Sequence, residues 1–331
     1  MKPSDKDPKL SYSLVIGGGP VGAILAAHLK NSGRRTALYD VDELLLAGIR
    51  TRGIVVEGET GLHTDPPAIW KSLEQLKTTQ VDAVYVAVKC NAIAHVARSL
   101  ENRLKPGVSV VLLQNGLDCE LPLVRILRQN PILQCIVNWG GLRAGPGRYT
   151  MTFFHKPNYI SGIEGSYPAV SAVLASVMSM CGLETRAVAD LAPFLWRKTI
   201  LTAAIAPVTG LGGLTIESAL RNSECRNLIQ ELVSEGVRVA SAVGVNPGDR
   251  FEASALEILA GAGDHTSSMS TDLAMGRKTE IQSFNEAIAA RGIQTGVRTP
   301  QHDRIIGLVH KREKNRLGPD STELNEILKA V

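Results

Sequence analysis

From Ser11 to about Asp190 the chain alternates short, continuously apolar runs with longer stretches of helical period. YSLVIGG reads as a strand, PVGAILAAHLKNSG as a helix closed by Gly33, and RTALYD as a second strand. GIVVEG, VDAVYVAVK and SVVLLQNGL continue the series, with AIAHVARSLENRL as a helix between the last two. ILQCIVNWGG and GRYTMTFFH predict further strands, AVSAVLASVMSMCG a helix and LETRAVADL a last strand. Runs that are apolar throughout, instead of alternating, predict strands buried on both faces. The expectation is therefore an α/β fold with a doubly wound parallel sheet covered by helices on both sides.

Past Pro193 the period changes. FLWRKTILTAAIA, CRNLIQELVSEGVRVASAVG, RFEASALEILAGAG, LAMGRKTEIQSFNEAIAARG and PQHDRIIGLVHKREKNRLG all carry helical spacing, and no strand pattern competes. Two domains are expected, 1–190 and 191–331, the second all-α.

Composition narrows the function classes. With 44% hydrophobic and 21% charged residues among 331, the chain has the profile of a folded, water-soluble protein. Its net charge of +4 is scattered, and aromatics make up only 4%, which argues against a nucleic-acid surface. The longest apolar stretch, 201–214, contains Pro207 and three glycines, too broken to span a bilayer. The five cysteines stand far apart without a C-x-x-C pair, which argues against a zinc site or a disulfide framework. The histidines show no ligand spacing either, so no metal is expected. The polar opening MKPSDKDPKL has no signal-peptide character, and a cytoplasmic protein is the expectation.

The first chemical signal is VIGGGPVG, which sets Gly17, Gly18, Gly19, Pro20, Val21 and Gly22 between a strand and a helix. In that context G-x-G-x-x-G is a phosphate loop. One glycine makes the tight turn, one admits the pyrophosphate, and one lets helix and strand pack closely. A Rossmann-type dinucleotide site follows. Asp40 ends the second strand eighteen residues past Gly22, where a carboxylate accepts from both ribose hydroxyls and repels a 2′-phosphate. Val41, Asp42 and Glu43 come next, with Arg50 and Arg52 within reach only of a loop that folds back. The cofactor expected is NAD(P)H, with NADH favoured.

VIGGGPVG, AVK at 87–89, LLQNGL at 112–117, WRK, and SSMSTDLAMGRKTEI at 267–281 stand in the order and spacing of the ketopantoate reductases, which the chain resembles from about residue 12 to 310. Those are two-domain NAD(P)H-dependent 2-oxo acid reductases. The resemblance implies that Lys198 is the catalytic proton donor and that Asn115 touches both cofactor and substrate. It sets Lys89 near the adenosine half and Ser268 on the substrate carboxylate. Glu280 then helps hold the cofactor or the reacting oxygen, and Gly141 falls where the family's backbone meets the nicotinamide end. It also implies a monomer, or a homodimer formed through the helical domain.

The residues themselves permit that chemistry. A lysine ammonium whose free pKa is about 10.4 moves toward the working range when buried or set beside a cation such as Arg197. Ser268 and Asn115 hold a carboxylate without adding negative charge. Asp272 reads as a structural partner of Arg277. Twelve residues of unbroken helix span about 18 Å, so Ser268 and Glu280 reach one small substrate only if the helix starts late or bends near Gly276.

The chain departs from the family at Ala92, Val41, Thr202 and Ala206. The last two replace asparagines four and eight residues after the catalytic lysine, on one helix face. In the family those amides bind the hydroxyl-bearing end of ketopantoate. Ketopantoate remains the default substrate. The alternative is a mandelate-type D-2-hydroxyacid dehydrogenase acting on another branched or aromatic 2-oxo acid. A reading from a different class is a non-catalytic dinucleotide-binding redox sensor.

Overall fold

A computed structural model describes residues 12–315. The polar opening and the far end of the helix expected to reach Gly318 lie outside the described residues. The chain divides into two units, Met1–Asn115 with Cys119–Leu191, and Gly116–Asp118 with Ala192–Val331.

In the first unit β1 (Tyr12–Ile16) leads into α1 (Pro20–Asn31), and β2 (Arg35–Tyr39) into α2 (Glu43–Arg52). Then come β3 (Ile54–Gly58), β4 (Leu62–Thr64), β5 (Ala68–Ile69), β6 (Ala83–Val86) and α3 (Ile93–Leu100). β7 (Ser109–Leu112), α4 (Leu121–Ile126) and β8 (Ile132–Ile136) follow. A hairpin of β9 (Trp139–Gly145) and β10 (Arg148–Phe154) precedes β11 (Asn158–Gly162), α5 (Pro168–Met180) and β12 (Thr185–Ala187).

The main sheet has the order β12-β11-β8-β7-β6-β1-β2-β5. Its strands from β8 to β5 are parallel, and every residue of β1, β6, β7 and β8 is buried, as their unbroken apolar runs require. The sheet is not wholly parallel, because β11 runs antiparallel to β8. Nor is it the sole sheet: β4-β3-β10-β9 form a second one. The run ILQCIVNWGG, which reads as one strand, is therefore shared between the two, as β8 and the start of β9. Between the sheets lies α1, packed on β2 of one and on β3, β4, β9 and β10 of the other. That position explains why Gly22 through Leu29 are all buried, a helix apolar on every side being one with no solvent face.

The second unit is helical: α6 (Ala192–Gly212), α7 (Ile216–Arg221), α8 (Ser223–Ala242), α9 (Phe251–Ala260), α10 (Ser268–Ala274), α11 (Asn285–Thr295) and α12 (Pro300–Asn315). α8 is amphipathic, and burying Leu228, Ile229, Leu232 and Val233 on its inner face contributes about 1.5–3 kcal/mol apiece. α6 is buried along most of its length and runs through Pro207. A proline there cannot donate to the carbonyl four residues back. That carbonyl, on Ala203, instead accepts from Nδ2 of Asn285 at 2.9 Å. No helix among the described residues is long and apolar enough to cross a membrane.

LAMGRKTEIQSFNEAIAARG is not one helix. α10 stops at Ala274, Gly276 turns the chain at φ 61°, and helix resumes at Asn285. Side chains pin the gap at two points. Arg277 pairs with Asp272 at 3.2 Å, and Glu313 accepts from both the amide and the hydroxyl of Thr279 at 2.7 Å. The break also disposes of the 18 Å separation, since Ser268 and Glu280 do not share a continuous helix.

Candidate active site

In a doubly wound sheet, ligands lie outside the carboxyl ends of the strands where the order reverses. That reversal here is at β1, between β6 and β2. The glycine loop follows β1, Asp40 follows β2, Lys89 follows β6, and Asn115 follows β7, so four of the sequence-derived positions share one edge. A Cβ at Gly17 would stand 2.8 Å from the Ala87 backbone, and one at Gly22 would stand 2.0 Å from the Gly17 carbonyl oxygen. Both glycines are demanded by close packing. At Gly19 nothing lies within 4 Å. The loop is open there, over the start of α1, whose first turn has neither a side-chain cap nor an acidic residue. Open backbone at a helix N-terminus suits a diphosphate, and these residues fit a dinucleotide.

Asp40 is half-buried, and both its carboxylate oxygens meet backbone donors. Oδ2 accepts from Gly18 at 2.5 Å and Oδ1 from Asp42 at 2.9 Å. From β10, the buried Tyr149 hydroxyl donates to the Gly18 carbonyl at 2.9 Å, and burial pushes its pKa up to about 12. It stays a donor at any ordinary pH. Gln114, preceding Asn115, donates from Nε2 to the carbonyls of Val86 and Val88 at 3.0 and 2.6 Å. That fastens the turn after β7 to the one carrying Lys89. Tyr149 and Gln114 were missed in the sequence; a polar residue ending the apolar run VVLLQ is a signal that could have found Gln114.

Gly141 sits within β9. A Cβ there would stand 2.6 Å from the Thr150 carbonyl oxygen and 2.9 Å from Cδ1 of Ile24. Packing of β9 on β10 and α1 accounts for that glycine.

The cysteine spacing misled. Cys90 and Cys119 form a disulfide with Cα atoms 5.5 Å apart. The strands they follow, β6 and β7, are neighbours, so the turns after them converge although 29 residues separate the cysteines in sequence. Cys135, Cys181 and Cys225 are free and buried.

In the second unit, Lys198 lies one turn and a half into α6 and is partly buried. Burial lowers its ammonium pKa to about 8. Arg197 does not contribute to this: it turns away, donating from Nε to the Pro247 carbonyl and lying over the Phe251 ring at 5.8 Å. Thr202 is half-buried one turn beyond Lys198, and the Ala206 methyl is buried. Ser268 is exposed as the first residue of α10. Its neighbour Ser267 is buried and caps that helix, accepting from the Ser270 amide at 3.2 Å. Ser267 also joins a hydroxyl cluster with Thr209 and Ser270, each 2.9 Å away. Glu280 is half-buried at the start of a 3-10 turn, Ile281–Ser283.

The same unit includes Gly116–Asp118, which directly follow Asn115. Leu117 donates its amide to the Ser283 carbonyl at 3.0 Å, and Arg291 grips Asp118 in a two-pronged pair at 2.6 and 3.0 Å.

Comparison with known proteins covers both units. Residues 13–164 match the ketopantoate reductase PanE/ApbA domain, and 190–313 match the ketopantoate reductase PanE/ApbA C-terminal domain. A 2-dehydropantoate 2-reductase of Halobacterium salinarum is 25% identical over 303 residues, which are 91% of this chain and 99% of the relative. One of Streptococcus pyogenes serotype M3 is 23% identical over 90% of this chain and 97% of its own length. Among solved structures, a PanE/ApbA family ketopantoate reductase from Ralstonia eutropha superposes with a TM-score of 0.82 at 23% identity, over 92% of this chain and 99% of that one. A D-mandelate dehydrogenase solved with NADH and anilino(oxo)acetate also gives 0.82, at 21% identity over the same shares of each chain. With both of its units matched in order, the chain belongs to the ketopantoate reductases, a family of oxidoreductases.

Proposed function

We propose that the protein reduces a 2-oxo acid to the (R)-2-hydroxy acid with a nicotinamide dinucleotide, NADH in preference to NADPH. The observation that carries this reading is the partly buried ammonium of Lys198 at a pKa of about 8, in a chain whose other unit holds an open glycine cradle. When bound in that cradle, reduced nicotinamide supplies the hydride. The glycine loop and the start of α1 bind the diphosphate, and Asp40 ties the loop to the end of β2 beside the adenosine ribose. Lys198 is protonated at neutral pH and delivers its Nζ proton to the oxygen that takes up negative charge. Until transfer its charge stabilises that oxygen. Asn115, Ser268 and Thr202 orient the acid by hydrogen bonds, and Glu280 holds cofactor or reacting oxygen. Lys89 reaches the adenosine half. A diffusible cofactor and a metabolic acid support a cytoplasmic setting, for which the cysteines no longer argue.

Ketopantoate is the default substrate. Ala206 favours a second reading, a branched or aromatic 2-oxo acid, because α6 presents a buried methyl at the position where an amide would bind a hydroxyl. Steady-state kinetics on ketopantoate, 2-oxoisovalerate and benzoylformate decide between the two. A kcat/KM for ketopantoate below either competitor removes the default. Lys198→Ala should lower kcat by about 10²–10⁴-fold while NADH still binds. A variant of full activity refutes the lysine assignment, and a wild type that binds NADH but reduces no 2-oxo acid leaves a redox sensor.

A further inference from the structure

The turn after β2 decides how a dinucleotide site treats the adenosine 2′-position, and in sequence its only charges are acidic: Asp40, Asp42 and Glu43. In three dimensions it also holds a cation. The guanidinium of Arg143, 101 residues further on, stands 3.4 Å from Oδ2 of Asp42.

Two features of the small sheet fix that approach. β9 and β10 are antiparallel, and Arg143 is directly opposite Tyr149, so both side chains leave the same face. The Tyr149 hydroxyl is bonded to the Gly18 carbonyl, which places that face against the glycine loop. The register is also interrupted. Arg148 pairs with Gly145 and Tyr149 with Arg143, which leaves Ala144 without a partner. Such a bulge bends the strand and re-aims its neighbours. It falls beside Arg143, which meets the β2 turn.

The charges at the turn are not equally engaged. Asp40 spends both oxygens on backbone amides, and Oδ1 of Asp42 caps α2 by accepting from Leu45 at 2.9 Å. Arg143 meets only the other oxygen of Asp42, at a long distance, and is about a third exposed. A guanidinium so held can leave one carboxylate for a doubly charged phosphate, with which it forms two parallel bonds.

We infer that Arg143 is a specificity-determining residue for the cofactor, the group that lets this acidic turn accept a 2′-phosphate and hence NADPH beside NADH. It supplies in space the cation that Val41 does not supply in sequence. Asp42 is its competitor, holding the guanidinium when the 2′-position carries only a hydroxyl. The inference rests on the dinucleotide reading above.

Dissociation constants for NADH and NADPH, read from nucleotide fluorescence for the wild type, Arg143→Ala, Asp42→Asn and the double variant, test it. Asparagine is as good a helix cap as aspartate, so Asp42→Asn removes charge without removing the cap. Arg143→Ala should weaken NADPH at least tenfold and NADH less than twofold. Asp42→Asn should strengthen NADPH severalfold, and the gain should vanish in the double variant. Equal losses for both nucleotides, unchanged NADPH binding in Arg143→Ala, or a gain that survives loss of Arg143 each overturn the inference while the dinucleotide reading stands. So does a wild type that binds NADH but no NADPH. A wild type that binds neither nucleotide overturns both.

Discussion

Lys198 has the chemistry of a titrating acid whose range is set by its surroundings. Burial lowers its pKa from 10.5 to about 8, because an ammonium leaving water loses solvation that the neutral amine does not need. The sign of the pH effect follows. The proposed reduction uses the protonated form, so kcat/KM for a 2-oxo acid should hold below pH 8 and fall tenfold per unit above it. Oxidation of the hydroxy acid uses the free amine and should rise across the same range. Replacing Lys198 by Arg keeps the charge but gives up the transferable proton, so its residual activity should show no limb near 8. Rate profiles flat from pH 7 to 9.5 in the wild type would show that another group moves the proton. The direction of this shift rests on partial burial, which no spacing in WRKTILT reveals.

At the scale of elements, α6 is held by contacts from outside itself. Pro207 leaves the Ala203 carbonyl without its helical donor, and the Asn285 amide fills the gap from 82 residues away. Asn285 is fully buried, and its other amide proton faces Nδ1 of His302 at 3.1 Å. Removing it strands two buried acceptors, at a cost of about 1–3 kcal/mol for each. In a Pro207→Ala background the backbone amide of residue 207 can serve Ala203. The Asn285→Ala penalty, measured by urea unfolding, should therefore shrink by about 1 kcal/mol. Strict additivity of the two substitutions would mean that the side chain is not standing in for the backbone. The runs YSLVI, AVYV and SVVL were legible as strands because burial on both faces forces unbroken apolarity. The positions of the glycine loop, Asp40, Lys89 and Asn115 just past strands were legible because strand ends can be read from those runs. Residues 275–284 misled because helical spacing in apolar residues says nothing about a turn at Gly276. Arg143 beside Asp42, Cys90 with Cys119, and Asn285 on α6 were invisible for a shared reason. Each depends on which elements the fold makes neighbours, and local pattern carries no record of that.

For the whole molecule, each unit has its own hydrophobic core, so acid need not strike both alike. The helical unit meets acid through His302, which is fully buried. Its Nε2–H donates to the Leu232 carbonyl at 3.1 Å, so Nδ1 accepts from Asn285, and a second proton would face that amide's own hydrogens. Burial lowers the pKa of His302 from 6.5 to about 4. Because the folded value is the lower one, stability is full above pH 6.5 and is lost as the pH falls toward 4. The whole shift is worth about 3 kcal/mol at roughly 1.4 kcal/mol per unit. Glu235, which accepts from the amides of Gln301 and His302, opposes this in part. Burial raises its pKa, so protonation on acidification relieves some of the strain. In the first unit burial also lowers the pKa of His28, against a hydrogen bond to the Cys181 carbonyl that raises it. Trp196 is buried in the helical core, and Trp70 and Trp139 are buried in the cores of the first unit. With Trp70 and Trp139 changed to Phe, the fluorescence of Trp196 reports the helical unit alone. Its urea midpoint should drop between pH 6.5 and 4.5 by more than that of a Trp196→Phe protein followed through the other two. A His302→Gln substitution in the Trp196 reporter should flatten the drop. Equal losses in the two reporters, or an acid limb that survives His302→Gln, would place the acid sensitivity elsewhere.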